Sequence, residues 1–324
     1  MVDVTLGIPC FNEAQNISNI LDALVAQKGN DEIKIVQIIV LNDGSTDGTE
    51  TIVNKWARRD RRIQLFHQSS SSRQGKSAAV NEILAHSRGK IVALFDADVL
   101  PADDEVVLRL VSPMVRDPSI GVCGGAPCAF ETKNLMERVA YFTYTVWNNV
   151  RRRLKGGSNL FCVNGRIYAI SSAISRRVKI PREVMGEDAY LYFCCLKLGR
   201  KVHFASDAIV YYQETQNLHD FLLKRLRYEQ HLTQLISIFG NLAKREVAVP
   251  RDLLVRCTLN EGLRDPLSLF VAPTLFLLSK LYYRVTKIAP IGGGAYAIAT
   301  STKRLDSGFI AKQRKSRLES DYEI

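Results

Sequence analysis

The chain has 324 residues, of which 46% are hydrophobic and 24% are charged, so it can bury a full core and does not have the composition of a disordered protein. Its formal net charge of +11 predicts an anionic partner. The charge excess is concentrated in residues 138–182, with ten Lys or Arg and no acidic residue, and in residues 301–317, with six basic residues and one acidic residue.

Zinc-finger spacing and RNA-recognition signatures are absent from the sequence, so the basic stretches do not indicate nucleic acid. Phosphates of a nucleotide or lipid, or an anionic membrane surface, account for them as well. The seven cysteines form no CxxC pair, and their odd number predicts free thiols in a reducing compartment. A strand pattern over residues 4–8 leaves no room for a signal peptide, so we expect the protein to act on the cytoplasmic side of a membrane.

The first hundred residues alternate between short apolar runs and helical patterns. The apolar runs cover residues 4–8, 33–41, 63–66 and 91–95, and the intervening segment 17–25 has apolar residues at helical spacing. Continuous apolar strands separated by helices predict an α/β fold, in which a doubly wound, mostly parallel sheet has helices on both faces. Such sheets bind ligands at the carboxyl ends of their strands.

The pattern is less regular after Pro101. The predicted elements are a strand within residues 160–170, a helix over 187–198, short strands over 201–204 and 208–212, and an amphipathic helix with one break over 218–243. Residues 267–278 are apolar but too short for a spanning helix, so they form either an interfacial or re-entrant segment or a buried core helix. Residues 291–296 are predicted to be a loop, and the last twenty residues a solvated basic tail.

Acidic side chains lie at the carboxyl ends of two predicted strands and at the start of one predicted helix. They are Asp43, Asp96, Asp98, Glu187 and Asp188. Carboxylate oxygens suit Mg²⁺ or Mn²⁺, and such an ion is commonly shared between one or two carboxylates and substrate phosphates. The three positions together predict a metal-assisted site for a nucleotide diphosphate.

Several motifs occur in a fixed order along residues 2–228. They are Ile8-Pro9-Cys10-Phe11-Asn12-Glu13, Leu41-Asn42-Asp43-Gly44-Ser45-Thr46-Asp47-Gly48-Thr49, Gly75-Lys76-Ser77-Ala78-Ala79-Val80-Asn81, Asp96-Ala97-Asp98 and Gly186-Glu187-Asp188. In this order they resemble the family-2 inverting glycosyltransferases with the GT-A fold, and the third motif resembles their polysaccharide-synthase branch. An ordered set of motifs is far more specific than one DxD.

The resemblance implies a role for individual residues. Asp188 would be the general base, Glu187 would orient the loop or acceptor, and Asp98 would bind Mg²⁺ or Mn²⁺ together with Asp96. The implied nucleotide-binding residues are Pro9, Phe11, Glu13, Asp43, Lys76, Asp96, Arg225 and Arg227. Structural interpretations also exist, such as a strand terminator for Pro9 and helix-start acids for Glu187 and Asp188.

Residues 224–228 read Lys-Arg-Leu-Arg-Tyr, where processive members of the family have Gln-Arg-x-Arg-Trp. The lost glutamine and tryptophan argue against processive elongation more than against catalysis. Arg225 and Arg227 are two positions apart on a predicted helix and diverge by about 200°. We therefore expect Arg227, more than Arg225, to lie at the diphosphate.

The resemblance also implies an organisation and a reaction. Residues 1–215 would be the GT-A nucleotide-sugar-binding and catalytic domain, 216–262 amphipathic helices that complete the site, and 263–324 an apolar, membrane-interfacial segment and basic tail. The reaction would move a hexose or N-acetylhexosamine with inversion from a UDP-sugar to a lipid-linked saccharide or growing polysaccharide. The partners would be that donor, that acceptor and a membrane surface, to which the protein is peripheral or interfacially anchored, and not nucleic acid.

Two alternatives stay open at this point. A polyprenyl-phosphate sugar synthase would use a lipid phosphate as the nucleophile and would not strictly need Asp188. A non-catalytic nucleotide-sugar-binding adaptor would lack a metal or base carboxylate, and the sequence lacks neither.

Overall fold

A computed structural model of the protein describes residues 1–68, 73–130, 134–286 and 300–303, together with Leu305 and Gly308. The strands in these ranges are β1 (Val2–Cys10), β2 (Ile33–Asn42), β3 (Ile63–His67), β4 (Ile91–Phe95), β5 (Val99–Pro101), β6 (Ile120–Ala129), β7 (Ile167–Ser171) and β8 (Lys201–Tyr212). They form one sheet in the order β3-β2-β1-β4-β7-β6-β8-β5. Strands β3, β2, β1 and β4 are parallel to one another, and β6 is parallel to β8. Strand β7 is antiparallel to both its neighbours, and β5 is antiparallel to β8.

Helices cover both faces of this sheet. They are α1 (Ile17–Val25), α2 (Thr49–Arg59), α3 (Lys76–His86), α4 (Val106–Arg116), α5 (Leu135–Arg153), α6 (Ser172–Ser175), α7 (Glu187–Lys197), α8 (Leu218–Phe239), α9 (Asn241–Glu246), α10 (Arg251–Arg264) and α11 (Pro266–Thr286). One core cluster joins the sheet to α1, α2 and α4, and a second joins its other face to α3, α7 and α8. The predicted α/β fold with a doubly wound, mostly parallel sheet is confirmed.

Strand β4 shows why its sequence is a continuous apolar run. All five of its residues are buried. Ile91, Ala93 and Phe95 point into the first core cluster, whereas Val92 and Leu94 point into the second. Successive side chains of a strand face opposite sides, so a strand covered on both faces needs apolar residues at every position.

Two strand predictions differ from the structure. Within residues 160–170, a 3₁₀ turn at Leu160–Cys162 precedes the strand, because the buried Asn159 side chain accepts a hydrogen bond from the Phe161 amide. The two short strands over 201–204 and 208–212 are one strand, β8, whose additional residues are accommodated by a register shift between Gly124 and Ala126 of β6.

Strands β5 and β6 were not predicted. Strand β6 has the sequence Ile-Gly-Val-Cys-Gly-Gly-Ala-Pro-Cys-Ala, in which glycine and proline hide the strand pattern. Glycine is required at residue 124, because a Cβ atom there would overlap with the carbonyl group of Cys162. Strand β6 therefore lies so close to the 3₁₀ turn that no side chain fits at residue 124.

The structure has the break that was predicted within residues 218–243. Helix α8 ends at Phe239, Gly240 follows with a φ of 57°, and α9 begins at the next residue. Helices α5, α10 and α11 form a third core cluster. The predicted apolar residues 267–278 lie within α11, which packs on α5 and α10 through Ala272 but exposes its opposite side. This segment is thus buried on one side and exposed to solvent on the other.

In the described part of the chain, no helix has both the length and the apolar character needed to cross a membrane. The predicted loop at 291–296 lies outside the described residues. The predicted basic tail does as well, except for Leu305 and Gly308.

Candidate active site

One cavity of about 500 Å³ lies at the carboxyl ends of β1, β2 and β4 and is closed on one side by α8. Every site residue named from the sequence lines it: Pro9, Phe11, Glu13, Asp43, Lys76, Asp96, Asp98, Glu187, Asp188, Arg225 and Arg227. These residues come from six separate segments of the chain. The sheet topology therefore brings them to one place.

Asp43 lies at one end of the cavity, directly after β2. Its carboxylate is buried and accepts hydrogen bonds from the amides of Gln74 (2.7 Å) and Gly75 (2.8 Å), which precede α3. Burial raises its pKa despite these donors. The guanidinium of Arg73 lies 4.5 Å from the centre of the Phe11 ring. This end of the cavity thus combines a buried carboxylate with an aromatic face.

Asp96 and Asp98 follow β4 at the centre of the cavity. Burial and the negative charge of Asp96 raise the pKa of Asp98 to about 6. Two neighbouring carboxylates of this kind favour a bound cation. Among the described residues no group of three or more His, Cys, Asp or Glu could hold a metal ion. Asp96 and Asp98 could supply carboxylate oxygens to such an ion, and oxygens of the substrate or of water could complete its coordination.

Lys76, the first residue of α3, connects the two groups of acids. Its ammonium lies 2.6 Å from a carboxylate oxygen of Asp96 and 3.1 Å from one of Glu187, and it donates to the Gly165 carbonyl at 2.9 Å. Burial raises the pKa of Glu187 and of Asp188, and the charge of Lys76 opposes that rise. Lys76 therefore favours the ionised form of both acids.

Glu187 and Asp188 form the first turn of α7. Glu187 is buried and accepts a hydrogen bond from the hydroxyl of Tyr168 at 3.4 Å. One oxygen of Asp188 accepts from the amide of Ala189 at 2.8 Å, as acids in a first helical turn often do. Glu187 is thus fixed by buried partners, whereas Asp188 is half-buried and faces the cavity.

Helix α8 explains the departure at residue 224. Lys224 forms an ion pair of 2.6 Å with the buried carboxylate of Glu214, which also accepts from the hydroxyl of Tyr212 at 2.6 Å. The guanidinium of Arg166 lies 3.7 Å from the centre of the Tyr212 ring. Lys224 therefore compensates the charge of Glu214 together with Arg166, which a glutamine amide could not do.

Arg225 of α8 contacts a neighbouring helix as well as the cavity. Arg225 pairs with Glu229 at 3.1 Å, and its guanidinium lies 4.4 Å from the centre of the Phe276 ring of α11. Both Arg225 and Arg227 line the cavity. Arg225 thus also joins α8 to α11.

Among the cavity residues that were not found from the sequence are Arg166, His231 and Lys303. His231 lies four positions after Arg227 on α8, and this spacing could have shown that both share one helix face. Its Nε2 is buried without a hydrogen-bond partner among the described residues, and burial lowers its pKa to about 4. Arg166 and Lys303 lie in segments without a motif, and only the fold brings them to the site.

A sequence profile of the family described as Glycosyl transferase family 2 matches residues 5–177, more than half of the chain. The chain belongs to glycosyltransferase family 2. This confirms the resemblance found in the ordered motifs.

Curated relatives agree with this family assignment. The chain is similar to a dolichyl-phosphate beta-glucosyltransferase of Trichomonas vaginalis, with 36% identity over 108 residues that cover 32% of this chain and 32% of the relative. It is 29% identical over 136 residues to a beta-monoglucosyldiacylglycerol synthase of Nostoc sp., covering 40% of this chain and 28% of the relative. It is 27% identical over 233 residues to a probable glycosyltransferase of Bacillus subtilis, covering 69% and 54%. The chain thus spans between 28% and 54% of the length of these relatives.

Solved structures share the fold. A mannosyltransferase from Pyrobaculum calidifontis in complex with GDP-Man and Mn²⁺ has a TM-score of 0.56 and 20% identity, covering 99% of this chain and 81% of that chain. Glucosyl-3-phosphoglycerate synthase from Mycobacterium tuberculosis, in complex with Mn²⁺, UDP-glucose and phosphoglyceric acid, has a TM-score of 0.50 and 19% identity, covering 73% and 79%. These likenesses confirm the predicted GT-A fold.

Proposed function

We propose that this chain is an inverting glycosyltransferase that moves a hexose or an N-acetylhexosamine from a UDP-sugar to an acceptor hydroxyl. One observation carries the proposal: a single cavity is lined by acids from the ends of β2 and β4 and from the start of α7. Membership of family 2 supports it. Glycosyl transfer needs a nucleotide site, charge compensation for the diphosphate and a general base. The acid after β2 can bind the nucleotide, the acids after β4 can hold a cation that compensates the diphosphate, and an acid of α7 can act as the base.

Asp43 and Phe11 would bind the nucleoside. A carboxylate at a strand end can accept a hydrogen bond from the imide of a base, and the aromatic ring can contact the base face. The resemblance of the motifs favours uracil. One of the two similar structures is a complex with UDP-glucose and the other a complex with GDP-Man, so a direct comparison of nucleotides decides the donor.

Asp98 and Asp96 would bind Mg²⁺ or Mn²⁺. Burial and the negative charge of Asp96 raise the pKa of Asp98, so a bound cation would stabilise its ionised form, and oxygen donors suit both ions. The two similar structures are complexes of a nucleotide sugar with Mn²⁺. When bound, such an ion neutralises the diphosphate that departs. Lys76 and Arg227 would add positive charge on the protein side.

Asp188 would act as the general base. The acceptor oxygen forms a bond to the anomeric carbon while Asp188 takes the hydroxyl proton. The bond from that carbon to the diphosphate oxygen breaks, and its electron pair leaves with UDP. Attack from the face opposite UDP inverts the anomeric centre. Glu187, fixed by Lys76 and Tyr168, would orient the loop that carries the base.

We further propose that the acceptor is a lipid-linked saccharide or growing polysaccharide and that the protein binds a membrane peripherally, on its cytoplasmic side. Helices α10 and α11 expose a set of large apolar side chains, which we call the apolar face: Val255, Leu259, Leu263, Leu267, Phe270, Leu277, Leu278 and Leu281. Exposed basic residues lie on the same two helices: Arg251, Arg256, Arg264 and Lys280. An exposed apolar stripe with flanking positive charge fits an anionic lipid surface.

Thermal stability in the presence of UDP, GDP, dTDP and CDP, each with Mn²⁺ or with EDTA, tests the donor and the metal together. We expect a stabilisation with UDP that requires Mn²⁺, because a ligand that binds only the native state stabilises it. Transfer from UDP-glucose and UDP-N-acetylglucosamine to a lipid-linked saccharide then tests the reaction. No response to any nucleotide would overturn the proposal.

A second candidate is a polyprenyl-phosphate sugar synthase, and the similarity to a dolichyl-phosphate beta-glucosyltransferase favours it. A lipid phosphate is already ionised at neutral pH and needs no base. An Asp188→Asn variant separates the two, because it should lose turnover if the acceptor is a hydroxyl and retain it if the acceptor is a phosphate. A non-catalytic adaptor would bind the nucleotide and turn over neither acceptor.

A further inference from the structure

A short C-terminal segment returns to the nucleotide end of the cavity. Residues Thr300–Lys303 form a 3₁₀ turn, and Thr302 and Lys303 line the cavity. The Ser301 amide donates to Asp220 at 2.8 Å, and the side-chain amide of Asn16 donates to the Lys303 carbonyl at 2.6 Å. The turn is therefore held from both sides, by the start of α8 and by the segment before α1.

The ammonium of Lys303 lies against the loop that follows β1. It forms an ion pair with the buried carboxylate of Glu13 and donates to the Phe11 carbonyl at 3.3 Å. Between these two contacts lies Asn12, whose φ of 53° is in the left-handed region. Lys303 thus contacts the residues before and after Asn12, and the backbone conformation of Asn12 is unfavourable for most residue types.

Glu13 depends on this contact for charge compensation. Its other oxygen accepts from the side chain of Asn16 at 3.0 Å, and in the part of the chain that the structure describes its ion pair is with Lys303. Without a cation, a buried carboxylate would repel the negative diphosphate of a nucleotide in the same cavity. The contact therefore has both a geometric and an electrostatic consequence for the site.

We propose that Lys303 is a positioning residue of the nucleotide site, which fixes the Phe11–Glu13 loop in its binding shape and compensates the charge of Glu13. The inference rests on the proposed function in that Phe11 is taken to contact the base. It adds that even the Phe11–Glu13 loop, which lies within the family-matched residues 5–177, is held by a residue about 290 positions after Glu13 in the chain.

The test is the dissociation constant of UDP, measured by titration calorimetry in the presence of Mn²⁺, for the full chain and its variants. Lys303→Met should weaken UDP binding at least about tenfold, as expected when one partner of a buried ion pair is removed. Lys303→Arg should bind UDP nearly as the wild type does. Lys244→Met, which removes an exposed lysine of α9, is the matched control and should bind normally.

A charge reversal keeps the test valid if Lys303→Met folds poorly. Glu13→Lys should weaken binding, and Glu13→Lys combined with Lys303→Glu should recover part of the loss, because the ion pair is restored in the opposite sense. In steady-state kinetics, Lys303→Met should raise KM for the donor and leave kcat within about twofold. The reason is that Lys303 contacts the loop after β1 and not Asp188, the proposed general base.

Two results would overturn the inference alone. Wild-type affinity in Lys303→Met would show that the loop does not need the contact. Tighter binding in that variant would show that the C-terminal turn competes with the nucleotide. Wild-type protein that binds no nucleotide would instead overturn the proposed function, and the role of Lys303 with it.

Discussion

The imidazole ring of His231 occupies the space in which a side chain at Gly186 would have to lie. Gly186 directly precedes Glu187 and Asp188, so this contact sets the position of the loop that carries the proposed general base against α8. The backbone of Gly186, with a φ of −128°, would accept any residue, and the glycine is therefore required by the ring and not by the backbone.

Gly186→Ala should lower kcat by about a hundredfold, because a shift of the loop by about 1 Å misplaces the base. The measurement is steady-state kinetics together with the melting temperature, which separates misplacement from unfolding. Gly186→Ala combined with His231→Ala should recover part of the activity, since the smaller side chain makes room. An unaltered kcat in the single variant would contradict this account of the loop.

Lys76→Met should move the acidic limb of the pH–rate profile to higher pH. The positive charge of Lys76 favours the ionised form of Asp188, so its removal raises the pKa of that acid, and the base stays protonated up to a higher pH. The profile of kcat/KM against pH measures the shift. Lys76→Arg keeps the charge and should keep the limb in place, and a limb that stays in place in Lys76→Met would refute the coupling.

Asp98→Asn should abolish the Mn²⁺-dependent stabilisation by UDP. In the wild type, UDP at a hundred times its dissociation constant should add about 2.7 kcal/mol to the free energy of unfolding. Asp207→Asn, which alters an exposed aspartate away from the cavity, should retain the full effect. A metal-dependent stabilisation that persists in Asp98→Asn would move the metal site elsewhere.

Lys224→Gln, which introduces the glutamine of processive members, should destabilise the protein by about 1–3 kcal/mol, because the buried carboxylate of Glu214 loses its hydrogen-bonded cation and only Arg166 still compensates part of its charge. Urea unfolding measures the free energy. Adding Glu214→Gln should recover much of the loss, since the uncompensated charge is then gone. An additive double variant would show that the two side chains do not act as a pair.

Leu277→Glu should weaken binding to vesicles that contain anionic lipid, because it places a negative charge on the apolar face. Leu198→Glu changes an exposed leucine at the end of α7 and should bind vesicles as the wild type does. Flotation with vesicles of anionic and of neutral lipid measures both. Equal flotation of the two variants would show that another surface, or none, meets the membrane.

The sequence was informative where chemistry and local pattern coincide. Asp43, Asp96 and Asp98 follow apolar strands, and a parallel sheet places the carboxyl ends of its strands at one edge, so their meeting could be predicted from strand pattern alone. One break within the helix over residues 218–243 was predicted without its position, and the structure places it at Gly240, whose φ of 57° suits a glycine.

The residues that were missed depend on contacts between distant segments. Strand β6 lacks an apolar pattern, because Gly124 is set by the close approach of Cys162 from another part of the chain. Lys224 departs from the family motif for the sake of Glu214, a partner that no local pattern indicates. Such pairs become visible only when the fold is known.

The strand order also has a consequence for folding. Strand β4 pairs with β7, which lies some 75 residues later in the sequence, and β6 pairs with β8 at a similar separation. Pairings between distant segments close large loops and are slow to form. Asp98 follows β4 and Asp188 follows β7 in the chain, so the two residues come together only after these strands have paired. We therefore expect refolding to restore the far-UV circular dichroism of the helices before it restores nucleotide binding.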